Sequence, residues 1–313
     1  MSYKNIIVAG SIAFDFIFKY EGSFKDHSDF NTCFFAPTRK RFFGGCGGNI
    51  AYSASLFGVR PILVSVAGKD FSPEYKDWLS AHNIDLKHVL EVKEGDTAAA
   101  YITTDKNGNQ LTTFYPGASL TTYDLGLDLN QHKDSILIVS PMNMGNMEEL
   151  CLQAIEKNMD YVFDPGQQIT LFSPEQMKKL AENAFLVILN EYEFGLASKN
   201  VDFSKVKRYI VTKGEKGSLC VADGQSITIP VVKPNTVADP TGCGDAYRGG
   251  LLYGLTQGYS LPKSCQMGAL CATYSIEKEG TQNHSFTIVE FGKRYKDSFG
   301  EEIGPRTIPS SLM

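Results

Sequence analysis

Residues 239–255 read DPTGCGDAYRGGLLYGL. Gly242 and Gly244 bracket Cys243 just ahead of Asp245, after which leucine and tyrosine recur at helical spacing. A helix start leaves backbone N–H groups unpaired and carries a partial positive charge. Without a Cβ, glycines at that point let an anion come close to those amides. Thr241-Gly242-Cys243-Gly244 therefore suits an anion on which charge develops during a reaction. The Asp245 carboxylate can accept the proton of an attacking hydroxyl, as phosphoryl transfer to an alcohol requires. The plain alternative is a glycine turn with Asp245 as a helix cap, and this stretch alone does not choose between them.

Outward from this stretch, short Val/Ile-rich runs fall at 6–9, 62–66, 136–139, 161–163, 186–189 and 209–211. Runs of this kind read as parallel strands buried on both faces. Helical patterns fall near 49–57, 73–82, 147–158, 174–183, 191–197, 245–257 and 262–278. The alternation predicts a three-layer α/β/α fold with a mainly parallel sheet, as one domain over 1–313. Two segments rich in aromatics and Thr, at about 14–43 and 97–116, break it. They read as strand pairs of a small β-sheet lid, the second turning at Lys106-Asn107-Gly108-Asn109. A decorative insertion or a dimer contact suits them equally well.

The chain has 313 residues, 42% hydrophobic and 21% charged, within the ordinary globular range. Thirty basic against 35 acidic residues give a net charge of -5 without a long single-sign run, which disfavours nucleic acid as a partner. The first apolar stretch lacks a cationic lead and reads as a strand rather than a signal peptide, and no run suits a membrane span. Seven scattered cysteines, none in a CxxC pair, suit neither a disulfide framework nor a zinc site, so a cytoplasmic location is expected.

Three further motifs carry chemistry. FFGGCGGN (42–49) sets Gly44 and Gly45 ahead of Asn49, whose amide can both donate to and accept from a sugar diol, or can simply cap a helix. NEYE (190–193) puts Asn190 and Glu193 on one face of a helical turn, fit to order water around Mg²⁺ or to form a capping box. VTKGEKG (211–217) places Thr212, Lys213, Gly214 and Gly217 after a strand, where they can wrap a nucleotide phosphate or make an ordinary turn. Neither GxxxxGK[ST] nor a protein-kinase signature set is present.

In this order, GSIAFD, FFGGCGGN, NEYE, VTKGEKG and DPTGCGDAYRGG resemble the PfkB or ribokinase family of carbohydrate and nucleoside kinases over nearly the whole chain. The resemblance implies that Asp245 is the general base and that the N–H groups of Gly242, Cys243 and Gly244 stabilise the transferring phosphoryl group. Asn190 and Glu193 would order Mg²⁺ through water, while Thr212, Lys213, Gly214, Gly217 and Asn283 would line the ATP site. Asp15, Gly44, Gly45 and Asn49 would bind the acceptor. Gly280 and Asn283 fall where the family closes its adenine pocket and a monovalent-cation (K⁺) loop.

Pro240, Cys243 and Tyr247-Arg248 depart from the family pattern. Beside a helix N-terminus the Cys243 thiol is expected to have a lowered pKa. Arg248 is expected to reach a phosphate or to pair with a surface carboxylate. GGCGGN, FDPGQQ and DPTGCGDAYRGG look most like the bacterial adenosine-kinase-like branch. Adenosine is thus the expected acceptor, with a sugar (ribokinase or fructokinase type) as alternative and a non-catalytic nucleoside-binding relative as a third reading. Aromatics of the lid segments, among them Phe14, Phe16, Phe42, Phe43, Phe114 and Tyr115, can stack on a purine or form lid core. A homodimer through the lid is a further expectation.

Overall fold

The computed structural model describes residues 3–27 and 32–303. The buried run NIIVA makes β1 (Asn5–Ala9), after which the chain leaves the main body for β2 (Ala13–Lys19) and β3 (Thr38–Gly44). It returns through α1 (Cys46–Ser55), β4 (Ile62–Ala67), α2 (Glu74–Ala81) and β5 (Asp85–Glu91). A second excursion forms the hairpin β6 (Ala98–Thr104) and β7 (Gln110–Tyr115). The alternation resumes with β8 (Ser135–Val139), α3 (Met144–Glu156), β9 (Tyr161–Phe163), α4 (Pro174–Asn183), β10 (Leu186–Asn190) and α5 (Glu191–Ala197). Three more strands follow, β11 (Arg208–Thr212), β12 (Ser218–Ala222) and β13 (Gln225–Ile229), and then α6 (Cys243–Thr256), α7 (Leu261–Ile276) and α8 (Ile288–Phe299).

Among the described residues the main sheet has nine strands in the order β13-β12-β11-β10-β9-β8-β1-β4-β5. It is parallel from β11 to β5, and β12 and β13 close one edge antiparallel. The period-2 alternation of strand side chains creates the three layers. Ile6 and Val8 of β1 join the core beneath α1, α2 and α6, whereas Ile7 and Ala9 join the core beneath α3, α4 and α5. β1 is paired by β4 on one side and β8 on the other, so the order of connection reverses there, and the crevice at such a point is where open α/β sheets bind ligands. Ser11, Ser140, Asp164, Asn190 and Thr212 all stand at or just past the carboxyl ends of central strands.

The second sheet has the order β3-β2-β6-β7, with β2 and β6 parallel and both outer pairs antiparallel. It rises from the carboxyl end of β1, which places it over the crevice.

Candidate active site

The mouth of α6 is shaped by Gly242, the N-cap residue, whose left-handed φ of 76° would strain any other side chain. A Cβ there would also lie 2.9 Å from Thr281 Cγ2. No side chain caps this helix. The Cys243 N–H turns back onto the Pro240 carbonyl at 3.3 Å, while Gly244 and Asp245 fill the rest of the first turn. Asp239 braces the entrance, accepting from the Thr241 N–H at 2.9 Å and the Gly280 N–H at 3.0 Å.

Asp245 is partly buried and accepts from Asn49 Nδ2 at 2.8 Å. Burial pushes its carboxyl up to about 6, and the charge on Arg248, the Asn49 hydrogen bond and the Cys46 thiol oppose that rise. Asn49 is not a helix cap, because α1 already begins at Cys46 with Gly45 as its N-cap at φ 87°. Asn49 thus projects from the first turn of α1 towards the mouth of α6. Asp15, on β2, is 8% exposed, and burial followed by the charges of Asp245 and Asp239 raises it to about 7. A Cβ on Gly44, opposite Ala13 on β3, would collide with the Asp15 carboxylate. Asp15, Gly44, Gly45, Asn49 and Asp245 therefore converge on one side of the crevice, half of it from the lid and half from the main body.

Arg248, one turn into α6, is 7% exposed and grips Asp164 rather than a surface carboxylate. Its Nε donates to Asp164 Oδ2 at 2.6 Å and its Nη2 to Oδ1 at 2.5 Å, a bidentate pair. A third donor, Nη1, reaches the Gly244 carbonyl at 3.0 Å, and Ser140 Oγ donates to Asp164 at 2.8 Å. This bracket ties the helix mouth to the ends of β8 and β9. Asp164 lay within FDPGQQ, but nothing in that phrase shows that a guanidinium 84 residues away will claim it.

The Cys243 expectation is overturned, since burial raises this thiol to about 11 and the nearby Asp239 and Asp245 add to the rise. Desolvation outweighs the helix N-terminus here, and the two carboxylates at the mouth act in the same direction.

Asn190 and Glu193 form a reciprocal capping box at the end of β10. The Glu193 N–H donates to Asn190 Oδ1 and the Asn190 N–H to Glu193 Oε2, both at 2.8 Å. Glu193 is 7% exposed and its pKa is raised by burial, with the Asn190 N–H and Arg248 acting against that. On the next strand Thr212, Lys213, Gly214 and Gly217 make the tight β11–β12 turn, closed by the Lys213 N–H on the Gly217 carbonyl at 2.8 Å. Asn283 and Gly280 sit at the root of the lid. Asn283 donates to the Glu279 carbonyl at 2.7 Å and lines a cleft with Arg41, Phe42, Phe43, Trp78 and Gln282.

Strand register sorts the lid aromatics. Asp15 stands opposite Phe42 and Ala100, and Ala100 opposite Phe114, so Phe42 and Phe114 share the Asp15 face. Phe14, Phe16, Phe43, Tyr101 and Tyr115 project from the other face, where Phe16 stacks on Tyr101 at 5.1 Å and Phe14 packs on Tyr75. Two aromatics, not the whole set, thus overlook the crevice.

Comparison with known proteins matches residues 4–288 to the pfkB family carbohydrate kinase model. The chain is similar to a nucleoside kinase of Methanocaldococcus jannaschii, 32% identical over 90% of this chain and 93% of the relative. A nucleoside kinase of Methanothermobacter thermautotrophicus is 27% identical over 96% and 98%. Among solved structures, Burkholderia thailandensis nucleoside kinase in complex with inosine superposes with a TM-score of 0.86, at 32% identity, covering 95% of this chain and 99% of that one. Ordered motifs, a ribokinase-like fold and these matches agree: the chain belongs to the PfkB family of the ribokinase fold and is a phosphotransferase with an alcohol group as acceptor.

Proposed function

We propose that this chain is a nucleoside kinase that transfers the γ-phosphoryl group of ATP to the 5′-hydroxyl of a purine nucleoside, with adenosine as preferred acceptor. The supporting observation is the pairing of Asp245 and Asn49 beneath the lid strand that carries Asp15. The acceptor oxygen attacks the γ-phosphorus as the bond to the β–γ bridging oxygen breaks, and ADP departs with that electron pair. Asp245 takes the hydroxyl proton. A carboxyl near 6 is ionised at neutral pH yet more basic than an ordinary aspartate, which favours the transfer. The Cys243 N–H is already held by the Pro240 carbonyl, so the amides of Gly242 and Gly244 are assigned to the charge on the transferring group.

Asp15, with its pKa near 7, can donate to or accept from a ribose hydroxyl, and Phe42 and Phe114 offer flat surfaces to a base. Inosine in the Burkholderia complex is a purine nucleoside and favours that acceptor class. The β11–β12 turn and Asn190 are assigned to ATP.

Among the described residues, no group of three or more His, Cys, Asp or Glu could grip a metal ion directly. Mg²⁺ bound through phosphates and waters, with Glu193 in the outer layer, fits this donor set and would neutralise phosphate charge. A K⁺ ion is assigned to the loop at Gly280 and Asn283, and no step is routed through it. The outward lid face, with Tyr101, Leu111 and Tyr115 exposed, is assigned to pairing with a second copy.

ADP release with adenosine, inosine, cytidine, ribose and fructose as acceptors tests the reading. Adenosine should exceed ribose at least tenfold in kcat/KM, and a preference for ribose or fructose would make the chain a sugar kinase. Asp245→Asn should lose about 10²–10⁴-fold in kcat while nucleotide affinity stays within a few fold. Equal loss of both would reduce Asp245 to a structural cap.

A further inference from the structure

Trp78, on α2, is the single tryptophan of the chain and stacks near Phe43, Tyr52 and His82. Its indole nitrogen can only donate. It donates to Gln282 Oε1 at 3.0 Å. Gln282 is 2% exposed, and its Nε2 donates to Asn49 Oδ1 at 2.9 Å and to the Tyr75 hydroxyl at 2.6 Å. The Tyr75 hydroxyl passes its own hydrogen to the Gly44 carbonyl at 2.6 Å. Asn49, its oxygen thus occupied, turns Nδ2 to Asp245 Oδ2 at 2.8 Å.

An amide side chain has nearly the same shape either way round, so its partners decide which end points where. Here the partners form a chain of fixed polarity. A donor-only indole stands at one end and an acceptor-only carboxylate at the other, and only one orientation of each intervening amide satisfies both. Turning Gln282 over would set its NH₂ against the indole N–H. Turning Asn49 over would set a carbonyl oxygen against a carboxylate oxygen.

From this geometry we infer that Trp78 and Gln282 are positioning residues for the phosphoryl-transfer site: the indole orients Gln282, which orients Asn49 so that it presents N–H to Asp245. The inference rests on the proposed role of Asp245 as base. Losing the relay frees Asn49 to present its oxygen, which disfavours the ionised form of Asp245 and raises its pKa. The other groups that bear on Asp245 are Arg248 and Cys243 of α6, Cys46 of α1, Tyr75 of α2, Asp15 of β2, and Asp164 past β9. Glu193 of α5 and Asp239 act at one remove, through Arg248 and Asp15. Trp78→Phe alters none of them, whereas Gln282→Glu also removes the hydrogen bond to the Tyr75 hydroxyl.

The test compares Trp78→Phe, which keeps the ring and removes only the N–H, with Gln282→Glu. Asp245 is titrated by its ¹³C carboxyl signal in the ligand-free protein, and kcat is followed from pH 5 to 9. Both titrations should move upward, by about one pH unit in Gln282→Glu and by less in Trp78→Phe. The acid limb of kcat should move with them, and KM for ATP should stay within twofold. Trp78→Phe adds no charge, so its shift reports orientation alone. An Asp245 titration unchanged in Trp78→Phe overturns the inference, even if that variant turns over more slowly. A wild type inert toward every nucleoside overturns the proposed function instead, and the carboxyl titration still decides the relay.

Discussion

At the scale of single residues, the site sets two carboxylates against their own solvation. Asp15 has an ordinary value of 3.8 and a folded value of about 7, so between those values the folded protein holds a proton that the unfolded chain has released. Its contribution to stability is full below pH 4 and is lost as pH rises through 7. Asp15→Asn should therefore be more stable than the wild type by a margin that widens from pH 4 to 7 and then levels off. The margin should be on the order of 4 kcal/mol, worth several degrees in Tm. Calorimetry at pH 4, 6 and 8 checks this, and a margin independent of pH would contradict it. The same variant should bind acceptor less tightly. Asp245, near 6, predicts that kcat/KM rises through about pH 6 and is flat above it until other groups titrate.

The decisive element is the first turn of α6 with its bracket to β8 and β9. Removing Arg248 alone leaves Asp164 charged and buried, and Arg248→Met should cost about 3–5 kcal/mol in urea unfolding. A double variant, Arg248→Met with Asp164→Leu, should recover most of that stability, since no uncompensated charge remains. It should not recover turnover, because the Gly244 carbonyl loses its anchor. Gly242→Ala should cost about 1–3 kcal/mol through its left-handed φ and the contact with Thr281.

Legibility also varied by element. The parallel strands were readable because burial on both faces writes Val and Ile without interruption. β5 pairs on one side only and carries polar residues, so its pattern was weak. The β12–β13 hairpin carries its own local signal, Asp223-Gly224, and both φ angles there are positive. α8 likewise announced itself by a Thr287–Glu290 capping box and by Gly300 beyond its end.

At the scale of the whole molecule, the lid has two unlike faces because a strand alternates its side chains. One face carries Asp15, Phe42 and Phe114 toward the crevice, and the other carries Tyr101, Leu111 and Tyr115 into solvent. If the outer face pairs two copies, analytical ultracentrifugation should find a dimer that Tyr101→Lys with Leu111→Lys converts to monomer. A wild type that sediments as a monomer at every concentration tried would remove that assignment.

The order of motifs, the α/β alternation and the acid at the mouth of α6 could be read from the chain itself, because each is local: a glycine, a periodicity or a cap acts within a few residues. The partners could not. Arg248 with Asp164, Gln282 with Asn49, and Phe42 rather than Phe43 toward the crevice are choices between chemically equal candidates far apart in sequence. Only packing decides them, because hydrogen-bond polarity, desolvation and strand register depend on what the fold brings within a few ångströms.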